Sequence, residues 1–338
     1  WILDIHPSLR NDGEMVIWLK QRNAKVISLI DRWSPSIYVY ADNREDLKRL
    51  LHIPEVATFV SSFDFEYKIA DISDAEPRQV MRLTLRNARD VLKLAKAVYC
   101  SAPYGVYQIY NADIDPVQMY MYEHDLFPLA LVKTHAGNDK IEWNLLDSVN
   151  KIEYELPSLK EMQLLVKHNK RDLLVKPEDP IASVELLSDG EKMTIEGDEQ
   201  NILLQLVERV HEIDPDIVFT HKGDSFVVPS LVLRAQANGI SENIVLGRCD
   251  EPVSLPKRKG STYFSYGKVI YKPRPIRLFG RVHIDTSNTF VHAACGVNGL
   301  IEVARTCRVP LDTTARASIG RIMTSIEFYH ACKDNILI

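Results

Sequence analysis

The sequence predicts an α/β protein of two domains, and two patterns along the chain carry this prediction. Over residues 1 to about 135, short segments with alternating apolar residues are interspersed with amphipathic stretches of helical spacing. From residue 162 onward, the predicted order changes to strand, hairpin, helix, strand and helix. With 338 residues, 46% of them hydrophobic, the chain is long enough to bury two separate cores.

The first region is predicted to be an α+β unit. Strands are expected at 15–19, 36–40 and 80–85, where apolar residues alternate with polar ones. Helices are expected at 43–51 and 87–98, where apolar residues recur at helical spacing. A polar and partly acidic connector is then expected over residues 134–157.

The second region is predicted to contain a sheet covered by helices. Residues 162–166 resemble a buried strand, and 184–187 and 192–195 are predicted to pair around the turn Asp189-Gly190. A helix is expected over 198–213, because its apolar residues form one stripe and Pro215 ends it. Strand 217–219 then leads into a Gly-Asp turn, and Pro229 begins a helix that ends near Gly239.

Composition excludes several classes of protein. A run of about 18 apolar residues is absent from the sequence, so we expect no membrane span. The five cysteines form no Cys-x-x-Cys pair and the ten histidines no His-x-x-x-His pair, which argues against zinc and indicates a reducing, cytoplasmic setting. The chain begins without Met and ends without a polar tail, so we expect it to be a piece of a longer protein.

Charge is unevenly distributed along the chain. The net charge is -5, yet residues 252–282 contain eight Lys and Arg residues and no Asp or Glu. Aromatic residues are interleaved with these cations, among them Tyr263, Phe264, Tyr266, Tyr271 and Phe279. Cations that bind phosphates and rings that stack on bases are typical of a nucleic-acid surface, although a solvated hairpin around Gly267 has the same composition.

Several segments resemble the family B DNA polymerases, particularly the archaeal ones. The run Lys222-Gly223-Asp224-Ser225-Phe226-Val227 is similar to the second motif of their 3'-5' exonuclease domain, which has a ribonuclease H-like fold. Other matching segments are Ile2-Leu3-Asp4, 35–40, Asp113-Ile114-Asp115-Pro116, 122–128, 280–285, 315–321 and 335–338. The resemblance implies an amino-terminal domain at 1–135 plus 300–338 and an exonuclease-like domain at 155–299.

The resemblance also implies partners and cofactors. The family binds primer and template DNA, and its palm, fingers and thumb domains, with the Mg²⁺ of the polymerase site, would follow these 338 residues. We expect no cofactor within the present chain. The region is expected to act in DNA replication or repair.

The family's exonuclease carboxylates are missing at the matching positions. Two-metal hydrolysis needs several carboxylates that converge on the ions. The positions that match them hold Leu165, Lys167 and Val227, and the third motif, Tyr-x-x-x-Asp, does not occur between 285 and 315. The resemblance therefore implies a divergent branch with an inactive proofreading site and no catalytic residues, acting as a DNA-binding scaffold.

The residues predicted to hold phosphates come mainly from the stretch 252–282, called the basic segment below, and Lys167 is a further candidate. They are Lys222, Lys257, Arg258, Lys259, Lys268, Lys272, Arg274, Arg277 and Arg281. Two alternatives stay open at this point. One is an active exonuclease with a metal held by Asp189, Glu191, Asp224 and Asp285, and the other is a protein-interaction module without DNA affinity.

Archaeal members of the family can also capture template uracil in an amino-terminal pocket. Pro35 and Val91 match the apolar wall of that pocket, but Ser36 and Pro7 replace expected aromatic residues. We therefore expect weak or absent uracil sensing, and both residues are equally consistent with an ordinary core.

Overall fold

The computed structural model describes residues 1–71, 73–137, 140–169, 174–257, 260–265 and 267–338. Two antiparallel sheets form the amino-terminal region. The first, in spatial order β1-β2-β3, contains β1 (Ile2–Pro7), β2 (Glu14–Lys20) and β3 (Val26–Arg32). The second, in order β5-β6-β4-β7, contains β4 (Ser36–Tyr40), β5 (Val60–Lys68), β6 (Arg78–Leu85) and β7 (Gln108–Tyr110). The strands predicted at 15–19, 36–40 and 80–85 are thus confirmed.

Helices in this region begin and end where local chemistry favours it. They are α1 (Arg44–Leu50), α2 (Pro54–Ala57), α3 (Val91–Cys100) and α4 (Pro116–Glu123). The Asn43 side chain accepts a hydrogen bond from the Glu45 N–H at the start of α1. Asp115 does the same for Val117 at the start of α4, where Pro116 occupies a first-turn position.

The predicted connector was wrong in part, because a hairpin lies inside it. Strands β8 (Val132–Gly137) and β9 (Lys140–Leu145) pair in antiparallel register. Only one face of β9 is buried: Ile141 packs in the core of the first sheet, and its N–H donates to Asp31. A strand with one buried face retains many polar residues, which is why its composition resembled a linker.

The second region is a mixed five-stranded sheet in the order β12-β11-β10-β13-β16. Its strands, and the separate hairpin β14–β15, are β10 (Glu161–His168), β11 (Ile181–Ser188), β12 (Glu191–Glu196), β13 (Ile217–Thr220), β14 (Ser261–Ser265), β15 (Lys268–Lys272) and β16 (Val282–Asp285). Strands β10, β13 and β16 are parallel to one another. Strand β11 lies between β10 and β12 and is antiparallel to both. The predicted α/β fold class is confirmed.

One face of this sheet is covered by two helices, α5 (Glu199–Ile213) and α6 (Val228–Ala237). Helix α5 buries Ile202, Leu203, Leu206 and Val210, which is the stripe that the sequence predicted. It ends at Asp214, whose left-handed backbone precedes Pro215. The opposite face of β10 stays open to solvent, since Leu165 on that face is 41% exposed.

Three further helices lead back to the amino-terminal region. They are α7 (Val291–Cys307), which is kinked at Gly296, α8 (Leu311–Ala315) and α9 (Ile319–Lys333). The Tyr122 hydroxyl donates to the Ser325 carbonyl of α9, and the Leu337 N–H donates to the Ile69 carbonyl. The last residues of the chain therefore contact the four-stranded sheet, while the predicted division into two domains stays a prediction.

In the described parts of the chain, none of the helices combines the length and apolarity needed to cross a bilayer.

A buried ionic cluster joins the two regions. We define it as Asp4, Asp224, Arg277, Asp312 and Arg316. Arg277 bridges Asp4 of β1 and Asp312 of α8, with N–O distances of 2.8 Å to each. The Arg316 guanidinium binds Asp224 through two nitrogens at 2.6 and 2.9 Å, and both side chains are at most 3% exposed. Residues from β1, the turn after β13, and α8 are thereby fixed to one another.

We predict that Arg316→Met lowers the free energy of unfolding by about 3–5 kcal/mol, because it leaves the Asp224 carboxylate buried without its partner. Urea unfolding followed by circular dichroism measures this change. The matched control is Lys48→Met, which breaks the exposed Lys48–Glu45 pair on α1 and should cost at most about 1 kcal/mol. Equal losses in the two variants would contradict the role given to the buried pair.

Candidate functional site

The turn after β13 lies at the carboxyl edge of the parallel strands. Strand β13 ends at Thr220 directly beside Asp285 at the end of β16. The chain then forms a π-helical turn, Gly223–Val227, that continues into α6. A Cβ on Gly223 would lie 1.8 Å from the Thr220 hydroxyl oxygen and 2.7 Å from Nε2 of His283. Glycine is therefore required here for close approach of the backbone.

Asp224 and Asp285 lie together at this edge, but their carboxylates already have partners. Asp224 accepts bonds from Arg316, from the Ile276 N–H at 2.9 Å and from the Asn288 amide at 3.1 Å. Asp285 accepts bonds from the Asp224 N–H at 2.9 Å and from Ser287. Burial alone would raise the pKa of Asp285, but these hydrogen bonds lower it below its usual value.

His283 is enclosed by the same groups. Its Nδ1 lies 2.7 Å from the Ile276 carbonyl oxygen and its Nε2 lies 2.8 Å from the Thr220 hydroxyl. With Nδ1 protonated, the ring donates to the carbonyl and accepts from the hydroxyl, so the neutral tautomer satisfies both contacts. Burial, followed by the positive charge of Arg316, lowers the pKa of His283.

The three positions that the sequence resemblance predicts to match metal ligands hold side chains without metal-binding chemistry. Leu165 and Lys167 lie on the open face of β10, and the Lys167 ammonium is 2.5 Å from a carboxylate oxygen of Glu185. Val227 is buried in the core under α6. A leucine, an ammonium and a valine do not fit a pair of divalent cations.

The alternative carboxylates are not assembled into a metal site either. Asp189 and Gly190 both have positive φ, as a two-residue hairpin turn requires, and the Asp189 carboxylate faces Lys160 at 3.6 Å. Asp224 and Asp285 are held at the strand ends as described above. Among the described residues, no group of three or more His, Cys, Asp or Glu side chains is arranged to hold a metal ion.

An open cleft of about 530 Å³ lies on the face of the five-stranded sheet opposite α5 and α6, beside α7, which covers part of that face. Its apolar surface comes from Leu165, Leu187, Phe219 and Val297, and two histidines, His221 and His292, lie on one side. The ring of His292 packs against Phe219 with centroids 5.4 Å apart. Helix α7, which contributes His292 and Val297, occupies part of the interval in which the third motif was sought.

Most of the predicted phosphate-binding cations that the structure describes are at least partly exposed. Lys222, Lys257 and Arg274 are exposed, and Lys272 is half-buried with its ammonium 2.7 Å from the Arg316 carbonyl oxygen. Lys268 lies in strand β15, whereas Arg258 and Lys259 lie outside the described residues.

Two of the predicted cations point into the protein instead. Arg277 belongs to the buried ionic cluster, and Arg281 is 2% exposed with a nitrogen 2.6 Å from Asp214. Arg281 also donates to the carbonyls of Pro215 and Leu246. Because these side chains are occupied by protein carboxylates and carbonyls, we leave both out of any DNA-binding surface.

One face of the hairpin β14–β15 carries exposed apolar and aromatic side chains. Phe264 pairs with Val269, and Thr262 with Tyr271, so that these four residues share a face. Phe264 and Tyr271 are 74% and 53% exposed. We call this surface the aromatic hairpin face; Lys257 and Arg274 are exposed close to its two ends in the sequence.

Pro35 and Val91, the expected remnant of a uracil pocket, are both buried. Val91 packs in the core beneath the four-stranded sheet, and the Pro35 carbonyl accepts the Leu85 N–H. A cleft of about 240 Å³ lies beside Pro35 and is lined by residues that include Ser36, Tyr38 and Ile114. Weak uracil sensing stays a prediction.

Sequence reasoning missed Arg316, Glu185 and Lys192. The pairing of Arg316 with Asp224 spans 92 residues, and no local pattern announces it. Glu185 accepts bonds from both Lys167 and Lys192 across the three antiparallel strands. This second contact was accessible in principle, because the alternation of the predicted hairpin places all three side chains on one face.

Comparisons with known proteins agree on one family. Residues 166–293 match the family described as DNA polymerase family B, exonuclease domain. A DNA polymerase of Methanocaldococcus jannaschii is 26% identical over 254 residues, which cover 71% of this chain and 14% of that protein. A DNA polymerase of Thermococcus litoralis is 31% identical over 90 residues, or 26% of this chain and 4% of that protein.

The fold is also similar to a solved structure. The family B DNA polymerase from the hyperthermophilic archaeon Pyrobaculum calidifontis superposes with a TM-score of 0.74 at 18% identity. The match covers 100% of this chain and 51% of that chain, so the present chain spans about half the length of the solved relative.

We predict that His283 makes the protein less stable as the pH falls. The pKa of His283 is lowered in the folded protein, so its titration does not reduce the free energy of unfolding above the unfolded pKa of about 6.5. Below that pH the unfolded chain takes up a proton that the folded site resists, at about 1.4 kcal/mol per pH unit. Urea unfolding of the wild type and of His283→Gln from pH 8 to 5 tests this, and the variant should have the shallower slope. Parallel curves would contradict the prediction.

Proposed function

Because the chain belongs to the archaeal type of family B DNA polymerases, we propose that it binds DNA as a scaffold and does not hydrolyse it. The binding half of this proposal rests on the aromatic hairpin face and on Lys257 and Arg274, which are exposed close to its two ends in the sequence. The half that concerns hydrolysis rests on Leu165, Lys167 and Val227 at the positions of the metal ligands.

Exposed cations and rings have complementary functions on a nucleic-acid surface. Ammonium and guanidinium groups bind phosphates without regard to sequence and release counterions. Exposed rings stack on unpaired bases, at about 1–3 kcal/mol per base. Most of the Phe264 surface and about half of the Tyr271 surface stay exposed in the folded protein, which is consistent with contact to a ligand.

Polymerase activity of the whole protein is part of the proposal. The chain spans 14% of the Methanocaldococcus polymerase and 51% of the solved Pyrobaculum chain. We propose that palm, fingers and thumb domains, with Mg²⁺ at their carboxylates, complete a DNA-directed DNA polymerase that acts in the cytoplasm in replication or repair. The present region would then position primer and template for them.

We predict that Lys257→Ala with Arg274→Ala weakens binding of a primer–template duplex. Each lost phosphate contact should flatten the plot of log affinity against log salt by about 0.9, hence by about 1.8 for the pair. Fluorescence anisotropy over a salt series measures both effects. The control is Lys48→Ala with Arg49→Ala on α1, which removes the same charges from exposed ion pairs.

An unchanged slope in the hairpin variant would remove this surface from the interface. Absence of DNA binding by the wild type, even at low salt, would instead favour the alternative of a protein-interaction module.

We predict that the protein leaves a 5'-labelled primer with a mismatched 3' end intact, in Mg²⁺ and in Mn²⁺. The reason is that the residues at the metal-ligand positions cannot hold the ions that hydrolysis requires. Gel analysis of the primer tests this beside the variant Asp189→Asn with Glu191→Gln. Stepwise shortening by the wild type that disappears in the variant would establish an exonuclease with alternative carboxylates and contradict the proposal.

A further inference from the structure

Two lysines and a glutamate form a compact group on the open face of the five-stranded sheet. Glu185, whose side chain is 10% exposed, accepts the Lys167 ammonium at 2.5 Å and the Lys192 ammonium at 3.1 Å. The lysines are 61% and 54% exposed. Their hydrogen bonds, that from Lys167 first, lower the pKa of Glu185. Two lysines and one glutamate give the group a formal net charge of +1.

The position of this group follows from strand register. Leu165 pairs with Glu185, and Lys192 pairs with Leu187. Because paired residues share a face and side chains alternate along a strand, Lys167 and Lys192 are on the face that carries Leu165 and Leu187. Those two leucines line the 530 Å³ cleft. The lysines therefore lie on the same sheet face as the cleft, next to two of the residues that line it.

We propose that Lys167 and Lys192 form a phosphate clamp for single-stranded nucleic acid, with an unpaired base in the adjoining cleft. This inference rests on the proposed DNA-binding function and adds a second, single-strand-specific contact to it. Both ammonium groups bond to one carboxylate, so they are held close enough to bind the same phosphodiester. Glu185 holds their long side chains in place, which reduces the entropy that a phosphate must offset.

The cleft has the size and surface for a base. Its volume lies within the range of about 300–1,000 Å³ that is typical of small-ligand sites. Leucine and phenylalanine side chains form the apolar surface, and the His292 ring beside Phe219 offers a face for stacking. At the other end, Glu161 and Asp189 line the cleft, and Asp189 faces Lys160. A phosphate is therefore directed toward the lysine end.

The test is binding of a labelled single strand of about 16 nucleotides, at the upper end of the site sizes known for such surfaces, in EDTA. Lys167→Gln with Lys192→Gln should weaken binding and flatten the salt dependence by about 1.4, or about 0.7 per contact. Lys167→Arg with Lys192→Arg should retain binding. Glu185→Gln keeps an amide oxygen that accepts hydrogen bonds from the lysines and removes the one neutralising charge, so it should strengthen binding. Lys48→Gln is the control, because Lys48 is 54% exposed and also pairs with a glutamate.

Comparison of strands identifies which phosphodiester is bound. Tighter binding of a linear strand than of a closed circle of the same sequence would identify a strand end, and equal binding would identify internal phosphates. The double variant Lys167→Gln with Lys192→Gln should leave the affinity for blunt duplex unchanged.

The outcomes for this site and for the aromatic hairpin face are separable. If Lys167→Gln with Lys192→Gln binds single strands as the wild type does, the proposed clamp is wrong. A loss of duplex binding in Lys257→Ala with Arg274→Ala would still support the proposed function in that case. If Lys167→Gln with Lys192→Gln loses single-strand binding while Lys257→Ala with Arg274→Ala keeps its DNA affinity, the clamp is supported and the hairpin surface is not.

Discussion

The ion pair between Arg316 and Asp224 is the contact on which the rest of this arrangement depends. Two charges taken out of water are tolerated only if their hydrogen bonds are satisfied, and here the guanidinium also donates to the carbonyls of His283 and Asp312. These bonds fix the end of α8, just before α9, against the carboxyl edge of β13 and β16. The relation between the five-stranded sheet and the helix that returns to the amino-terminal region is therefore set by electrostatics as well as by apolar packing.

This constraint gives the glycine and the aspartate of the turn after β13 a structural role. Gly223 is needed for the approach of the turn to Thr220 and His283, and Asp224 is needed to neutralise Arg316. Both requirements belong to the fold. Val227, in contrast, lies in the apolar core under α6 and is not tied to any polar partner there. A fold can thus retain the frame of a motif while a ligand position within it becomes apolar.

The fold was more accessible from the sequence than the site was. The alternation at 36–40 and the stripe along α5 each specify an element through residues only a few positions apart. The hairpin turn at Asp189-Gly190 is equally local, and its positive φ angles follow from those two residues. The connector misled because β8 and β9 bury a single face.

The charges of the basic segment could not be interpreted from the sequence, because their partners are far away along the chain. Arg277 pairs with Asp4, and Arg281 pairs with Asp214, which lie 273 and 67 residues from them. A stretch without Asp or Glu therefore predicted a basic surface, although Arg281 is buried and Arg277 is ion-paired with two carboxylates of the protein.

Under the proposed function, the residues of β10 at the expected metal-ligand positions and the lysine of β12 follow one electrostatic logic. A group of carboxylates can approach phosphates only while divalent cations reverse its charge, since without them it repels the strand. Removing one carboxylate would leave that repulsion in place. On this sheet face the cations are instead part of the chain, because Lys167 and Lys192 share the single carboxylate of Glu185. A phosphate held by these two lysines would therefore need no bound metal, and neither ammonium can supply the metal-activated water that hydrolysis needs.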